Sequence, residues 1–227
     1  MKKIIHALVT LIVISMPLTY ALADNSIDYN LDASKAKDPQ YVLIDEKNAV
    51  FKDGVVKWYY NPTYELLTDF SHREIVSTIK KAMRSWSRVC SIEFRYEGLT
   101  MKRLDNLQDG IIVIGFWPER KYSRKVGDSA GVTEILYTSD KGIVDGFVAL
   151  NIFNKNDEYA PDNLDELQGI ITHEVGHLIG IGHSNVKQSV MSMTRPNFSY
   201  EYQKTLRRDD KRAARRLYPI FGLGILR

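Results

Sequence analysis

The stretch HEVGHLIGIGH, residues 173–183, restricts the fold of this chain more than any other part of its sequence. From Asp162 or Asn163, either of which suits an N-cap, apolar residues recur at spacings of three and four and predict one buried side of a helix. These residues are Leu164, Leu167, Ile171, Val175 and Leu178. At about 100° per residue, His173 and His177 share the opposite side, one turn apart. The fold therefore has to cover one side of this helix and keep two imidazoles together on the other.

A third histidine follows the helix closely enough to join this pair. Gly180 lies three positions after His177, where a glycine can take the left-handed conformation that ends a helix and turns the chain toward His183. Three protein ligands and one open position for water are what a catalytic zinc ion needs, so the three histidines are candidate metal ligands. Glu174 points about 100° away from His173, which suits a general base beside the metal better than a ligand.

The alternative interpretation is that these polar residues are simply solvated. Two histidines and a glutamate in one helix occur by chance often enough to be a moderate signal. The longer pattern H-E-x-x-H-x-x-G-x-x-H fixes five positions, and evenly drawn residues would produce it at roughly one window in three million. The zinc interpretation is therefore favoured.

The rest of the body predicts one α+β or α/β-like domain with a single mixed sheet. The 227 residues, 44% of them hydrophobic, suffice for one globular domain with an ample core. Ser71 followed by Glu74 forms a capping box, which predicts a helix start. The core side of that helix carries Ile75, Ile79, Ala82 and Trp86. The stretches with strand-like composition are 56–61, 91–96, 110–117, 131–137 and 146–152. The stretch 110–117 is apolar enough to be central in the sheet.

The N-terminal residues 1–23 predict an export signal. Lys2 and Lys3 precede an apolar run that closes on the small residues of Ala21-Leu22-Ala23. A membrane anchor is the less favoured alternative, since the run falls short of the roughly 20 apolar residues of a spanning helix. We expect a secreted protein, extracellular or periplasmic, with no membrane anchor after cleavage.

The remaining chain divides into three parts. Residues 24–50 are rich in Asp, Asn and Lys and predict a short leader or propeptide-like segment, residues 51–220 form the body, and residues 221–227 are a C-terminal tail. Removal of residues 1–23 takes away two lysines and no acid, leaving 29 basic and 28 acidic residues. The mature protein is thus nearly neutral.

The most basic stretch, residues 204–217, could be a nucleic-acid patch or a solvated helix face. Asp209 and Asp210 interrupt its positive charge. Apolar residues recur in it at roughly helical spacing: Leu206, Ala213, Ala214 and Leu217. The helix face is favoured, and no nucleic-acid partner is expected.

At this point a family resemblance is visible. The long zinc motif with a following Met-turn is the metzincin signature, and HEVGHLIGIGHSNVKQSVMSMT resembles the matrixin branch, the matrix metalloproteases and their bacterial relatives. In that family the turn methionine follows the third ligand by eight positions, which is Met191 here, with Met193 less well spaced. REIVSTIKKAMRSWSRVCSIEF is similar to the first matrixin helix and second strand, and LRRDDKRAARRLYP to its last helix, so the resemblance extends from near Phe51 to Pro219.

The resemblance implies a metzincin catalytic domain and its activity. It implies a mixed, mostly parallel five-stranded sheet, three helices and an active-site cleft for an extended protein or peptide substrate. The substrate would pair with an edge strand within residues 130–137, and residues 194–205 would form the main specificity pocket. The implied function is that of a secreted zinc metalloendopeptidase with Glu174 as general base and then acid. The alternative is a non-catalytic zinc-containing peptide-binding protein of the same fold, against which the intact Glu174 argues. A monomer is expected.

Two further metal sites are considered. Vertebrate matrixins hold a second, structural zinc through histidines upstream of the helix, but no histidine lies between His72 and His173, so that site is not expected. Asp128, Asp140 and Asp145 lie in glycine-containing loops and could offer oxygen ligands to Ca²⁺. Solvated turn residues are the favoured interpretation of these aspartates.

The single cysteine and the leader aspartates bear on regulation. Cys90 excludes an internal disulfide and is interpreted as a buried apolar group. The leader has no cysteine that could occupy the open zinc position, as happens in many matrixins. An aspartate could replace it; the candidates are Asp24, Asp28, Asp32, Asp38 and Asp45. A plain linker is favoured over such a latch.

Overall fold

The computed structural model describes residues 19–22, 41–104, 107, 109–117, 130–152, 161–192 and 204–220. In this part of the chain there are three α-helices, namely α1 (His72–Ser87), α2 (Leu164–Leu178) and α3 (Arg208–Leu217). The strands are β1 (Thr19–Leu22), β2 (Tyr41–Leu43), β3 (Val55–Asn61), β4 (Glu93–Leu99), β5 (Ile112–Trp117), β6 (Gly131–Thr138), β7 (Gly142–Asn151) and β8 (Ile181–Ser184).

The main sheet has the strand order β1-β6-β7-β5-β3-β4. The four strands β7, β5, β3 and β4 run parallel, and β6 is antiparallel to β7. These five strands form the mixed, mostly parallel sheet that the resemblance implied, and that prediction is confirmed. The strand β5 is central, as its apolar sequence predicted.

A sixth strand extends this sheet at the outer edge of β6. It is β1, which lies within the predicted export signal and pairs antiparallel with β6, from Thr19 opposite Tyr137 to Leu22 opposite Glu134. The edge of β6 therefore accepts an extended segment of chain. The other predicted signal and leader residues up to residue 40 lie outside the described part of the chain.

Helices α1 and α2 pack on each other over the main core, and α2 also contacts β6 and β7. The capping box predicted for α1 is present: the Ser71 N–H donates to the Glu74 carboxylate at 2.9 Å, and the Glu74 N–H donates to the Ser71 hydroxyl oxygen. The four residues predicted for its core side are all buried. Alternate residues of the sheet point to a smaller apolar cluster on the opposite side, which includes Val113 and Val132.

A two-stranded sheet lies near the end of α2. In it, β2 pairs antiparallel with β8, with Tyr41 opposite Ser184. Directly after β2, the Ile44 N–H donates to the carbonyl of Gly180 at 3.0 Å, and Ala49 is fully buried. The last ten residues of the predicted leader thus pack onto the body.

The C-terminal stretch forms the predicted helix, α3. Leu206, Ala213 and Ala214 are buried, but so are Asp209 and Asp210, which the sequence pattern indicated only as interruptions of a basic face. No helix in the described residues has the length and apolar character needed to cross a bilayer. The tail, residues 221–227, lies outside the described part.

Candidate metal centre and active site

Helix α2 carries the first two histidines and is anchored by its buried side. Asn163, rather than Asp162, is its N-cap, and its side-chain oxygen accepts hydrogen bonds from the N–H groups of Asp165 and Glu166, both at 3.0 Å. The apolar residues predicted for its core side are buried, apart from Leu164, which is partly buried. These contacts fix the rotation of the helix, and with it the direction of its polar side.

The structure brings the three predicted ligands together. His173 and His177 lie on α2 and His183 lies on β8. Their ligand nitrogens all lie within 4.8 Å of one another. The rings of His173 and His183, from different elements, have centroids 5.4 Å apart, and those of His177 and His183 are 4.8 Å apart.

Gly180 makes the turn between α2 and β8, as its spacing predicted. Its φ of +94° lies in the left-handed region that favours glycine. A Cβ at this position would lie 2.1 Å from the carbonyl oxygen of Ala49. Both the backbone conformation and the close approach of another segment therefore require glycine, and together they direct His183 back toward the pair.

Hydrogen bonds determine which ring nitrogens face the centre. Nδ1 of His173 lies 2.7 Å from the Val190 carbonyl, and Nδ1 of His177 lies 2.8 Å from the Ile181 carbonyl. A carbonyl only accepts, so each Nδ1 carries a proton and donates it. In the neutral rings Nε2 is then left with a bare lone pair, and the two Nε2 atoms are 3.0 Å apart. Two such lone pairs repel unless a cation lies between them, so these residues fit a shared metal ion.

The electrostatics of the site favour the neutral forms of His177 and His183. Burial, followed by the neighbouring His173 and His183, lowers the pKa of His177 well below its usual value. Burial, together with His173, lowers the pKa of His183 to about 3. Neutral imidazoles are the form that binds metal, and three of them with one remaining position are the donor set that suits zinc.

Met191 lies in a turn against α2, at the position predicted for the Met-turn. The turn is closed by the Ser192 N–H, which donates to the Ser189 carbonyl at 3.2 Å. A Cβ on Gly176 would lie 2.3 Å from the Met191 sulfur and 2.9 Å from the Trp86 ring, so only glycine allows this approach. The turn therefore packs directly beneath the helix that carries the two histidines. Met193 lies outside the described residues.

Asp210 of α3 holds the same turn in place, a role that was not predicted from the sequence. Its carboxylate accepts hydrogen bonds from the Ser189 hydroxyl, from the N–H groups of Val190 and Met191 at 3.1 and 3.2 Å, and from the Arg207 N–H at 2.7 Å. It is 1% exposed. Because Val190 is the residue whose carbonyl accepts from His173, Asp210 acts on a metal ligand through the turn. Asp210 precedes the buried Ala213 and Ala214 by three and four positions, and this spacing could have indicated that it points to the buried side of α3.

Glu174 lies beside the histidines and is 3% exposed. Its Oε2 accepts a hydrogen bond of 2.6 Å from the hydroxyl of Thr133, which is fully buried on β6. The backbone of Gly131, on the same strand, lies against the Glu174 side chain. Neither Thr133 nor Gly131 was singled out from the sequence, because nothing local connects a strand residue to a helix residue about forty positions away.

The aspartates considered for calcium differ in environment. Asp145 lies buried within β7 and not in a loop, so the loop prediction is wrong for it. Its carboxylate accepts hydrogen bonds from the N–H groups of Asp109, Gly110 and Gly146 at 2.9, 2.8 and 2.6 Å, so it fastens the loop before β5 to β7. Burial raises the pKa of Asp145. Asp140 is solvated, and a hydrogen bond from the Thr138 side chain lowers its pKa. Asp128 lies outside the described residues.

Two other side chains considered in the sequence have structural environments. Asp45 accepts hydrogen bonds from Lys47 N–H and from the backbone and side chain of Asn48, within its own turn. Cys90 is buried, and burial raises the pKa of its thiol to about 12. Among the described residues, the three histidines are the one group of His, Cys, Asp and Glu side chains placed to share a metal ion.

Comparison with known proteins agrees with this geometry. The family model described as matrixin matches residues 56–219, which run from β3 to just beyond α3 and include all three histidines. No curated protein matches the chain. The match covers well over half of the 227 residues and confirms the resemblance that the zinc motif indicated.

Proposed function

Because the chain belongs to the matrixin family of zinc metallopeptidases, we propose that it is a secreted zinc-dependent endopeptidase in which Glu174 serves as general base and then general acid. The observation that carries the proposal is the convergence of three imidazoles, two of which direct unprotonated Nε2 atoms at each other across 3.0 Å. His173, His177 and His183 would hold the ion. The export signal read from residues 1–23 supports secretion.

The metal and the protein have separate tasks in this chemistry. A zinc ion held there supplies Lewis acidity, which acidifies water and polarises a peptide carbonyl. The Nδ1 bonds of His173 and His177 to backbone carbonyls orient both rings and keep the correct tautomer. Since both carbonyls belong to the backbone, this orientation does not depend on a side chain that could rotate away.

Glu174 moves the proton. Its carboxylate accepts a proton from the water that attacks the carbonyl carbon, and a new C–O bond forms. It then delivers that proton to the nitrogen of the amine as the C–N bond breaks, so one water is consumed for each peptide bond. A carboxylate at 3% exposure is well shielded from competing bulk water.

The substrate is proposed to bind as an extended strand along β6. This strand is the edge of the five-stranded sheet formed by the body, and it begins at Gly131, next to Glu174. Its pairing with β1 supports the proposal, since four residues of extended chain lie antiparallel along it. The expected specificity-pocket residues 194–203 lie outside the described part of the chain.

The decisive experiment replaces Glu174 with Gln and measures zinc content and cleavage of a mixed peptide library. We expect full zinc content with cleavage reduced at least about a thousandfold, as for loss of a general base that also positions the water. Glu166→Gln, a matched change two turns earlier on the same helix, should leave cleavage unchanged. Unchanged cleavage in Glu174→Gln would refute the assigned base.

Two companion experiments test the ligand set and the alternative function. His183→Ala should lose zinc, and undiminished zinc occupancy would refute its role as a ligand. If the native, zinc-loaded protein binds peptides but releases no new termini from a denatured proteome, the non-catalytic peptide binder replaces the enzyme. If it does cleave, sequencing the released termini reports its side-chain preference.

A further inference from the structure

Two residues of β6 face the Glu174 carboxylate. Gly131 and Thr133 are two positions apart and so point to the same side of the strand, toward α2. Val132, between them, belongs to the apolar cluster on the other side of the sheet. We call Gly131 and Thr133 the Glu174 seat.

Thr133 contributes a hydrogen bond to the charged group. Its hydroxyl oxygen lies 2.6 Å from Glu174 Oε2 and 3.0 Å from the Glu174 carbonyl oxygen. Both are acceptors and the hydroxyl has a single proton, so the shorter contact to the carboxylate takes it. Thr133 is fully buried and Glu174 nearly so. A buried carboxylate is costly unless such donors satisfy it, which gives this bond a large effect on where the side chain lies.

Gly131 contributes space. A Cβ there would lie 2.9 Å from Glu174 Cγ, 3.0 Å from Oε1 and 3.1 Å from Cδ. Its φ is outside the positive range, so alanine is compatible with the backbone, and the close approach of Glu174 is what requires glycine. The Glu174 side chain therefore rests on the strand with Oε1 over Gly131 and Oε2 held by Thr133.

We infer that the Glu174 seat positions the general base, and that Thr133 is a positioning residue for the proposed hydrolysis. The inference rests on the proposed function, in which Glu174 moves the proton. It adds a physical link, because the strand proposed to pair with the substrate backbone is the strand that holds the base. The same strand thereby positions both the base and the substrate, and such fixed relative positions are what preorganised proton transfer requires.

The test compares Thr133→Val, which keeps the shape and removes the donor, with Thr133→Ser, which keeps the donor. For the zinc-loaded Thr133→Val variant we expect kcat to fall about 10- to 100-fold, the range for loss of a hydrogen bond to a charged group, with KM within about twofold. Zinc content should not change. Thr133→Ser should recover kcat to within about threefold of the native value. Gly131→Ala should also lower kcat, because the added methyl displaces the carboxylate.

Several results would overturn the inference. They are native kcat in Thr133→Val, an equal loss in the valine and serine variants, and a loss that appears in KM alone. If Thr133→Val does not fold, the kcat of Gly131→Ala tests the inference instead. A native kcat in that variant would contradict it.

A double-mutant cycle separates failure of this inference from failure of the proposed function. Urea unfolding of Thr133→Val, Glu174→Ala and the double variant measures the coupling between the two side chains without any cleavage assay. We expect the changes in unfolding free energy to be non-additive, and additive changes would refute the contact. If the native protein cleaves nothing, the proposed function fails and the positioning role fails with it. The double-mutant cycle still shows whether Thr133 and Glu174 are hydrogen-bonded.

Discussion

The replacement of Asp210 by Asn tests whether a carboxylate on the last helix supports the metal centre. In the native structure Oδ1 accepts from the Ser189 hydroxyl and the Met191 N–H, and Oδ2 accepts from the N–H groups of Val190 and Arg207. Asparagine keeps one acceptor oxygen and replaces the other with an NH₂ group. Its best orientation turns NH₂ toward Ser189, whose hydroxyl can reverse and accept, so that the Met191 N–H loses the Asp210 oxygen and keeps only the Ser189 hydroxyl oxygen, at 3.0 Å.

The size of the effect on stability follows from the hydrogen bonds that the substitution removes or weakens. The bonds from the Val190 and Arg207 N–H groups each lose about 1 kcal/mol when their acceptor loses its charge, and the Met191 N–H loses one of its two acceptors. We therefore expect Asp210→Asn to lower the free energy of unfolding by about 2–4 kcal/mol, a large share of the roughly 5–15 kcal/mol of a typical domain. The turn also carries the Val190 carbonyl that orients His173. Loss of such support weakens metal affinity by roughly 10- to 100-fold.

Urea unfolding followed by tryptophan fluorescence measures the first effect, and competition with a chromophoric chelator measures zinc affinity. Asp209→Asn is the matched control, since it removes the same charge from the neighbouring buried residue. The Ser184 hydroxyl that donates to Asp209 can still donate to the asparagine oxygen. The Asp209→Asn variant should therefore lose only about 1 kcal/mol of unfolding free energy. Equal effects of the two variants on zinc affinity, or native affinity in Asp210→Asn, would refute the argument.

Three further predictions follow from the site. Gly180→Ala should lose zinc and at least about 2 kcal/mol of stability, because alanine is strained at φ +94° and its Cβ would meet the Ala49 carbonyl; native zinc content would contradict this. After the metal has been removed with a chelator, the lowered pKa values of His177 and His183 mean that the unfolded chain binds more protons than the folded protein does. Stability should therefore be fully present above the ordinary histidine pKa of 6.5 and fall as the pH drops toward about 3; a urea midpoint that does not move between about pH 7.5 and pH 5 would contradict it. Trp86→Phe removes an indole bond to a buried carbonyl of α2 and should cost about 1–3 kcal/mol in urea unfolding, with a loss below about 0.5 kcal/mol as the contrary result.

The sequence predicted those features whose determinants are local. His173 and His177 are one helical turn apart, so their common side follows from helix geometry alone. Ser71 and Glu74 encode a capping box within four residues. Gly180 indicated a turn because few other residues adopt its conformation. In each case the interaction that fixes the structure is close in sequence.

Interactions between distant segments were not predictable in this way. The bond from Thr133 to Glu174 spans 41 positions and depends on how β6 lies beside α2. Asp210 looked like a solvated charge because three of its four donors come from the turn at residues 189–191, about twenty positions earlier, and only the Arg207 N–H at the start of α3 is close in sequence. The strand β2 is three residues long, too short for its alternation to stand out from an irregular leader.

The pairing of β2 with β8 limits how far the amino terminus of this protein can be trimmed. Cleavage ahead of Tyr41 keeps the partner of the strand that bears His183. Cleavage between Leu43 and Phe51 would instead detach that partner and free Ala49 from its place against Gly180. Were the leader to be removed by proteolysis, a cut about ten residues before the body would keep this support, and a later cut would loosen the strand that holds the third imidazole.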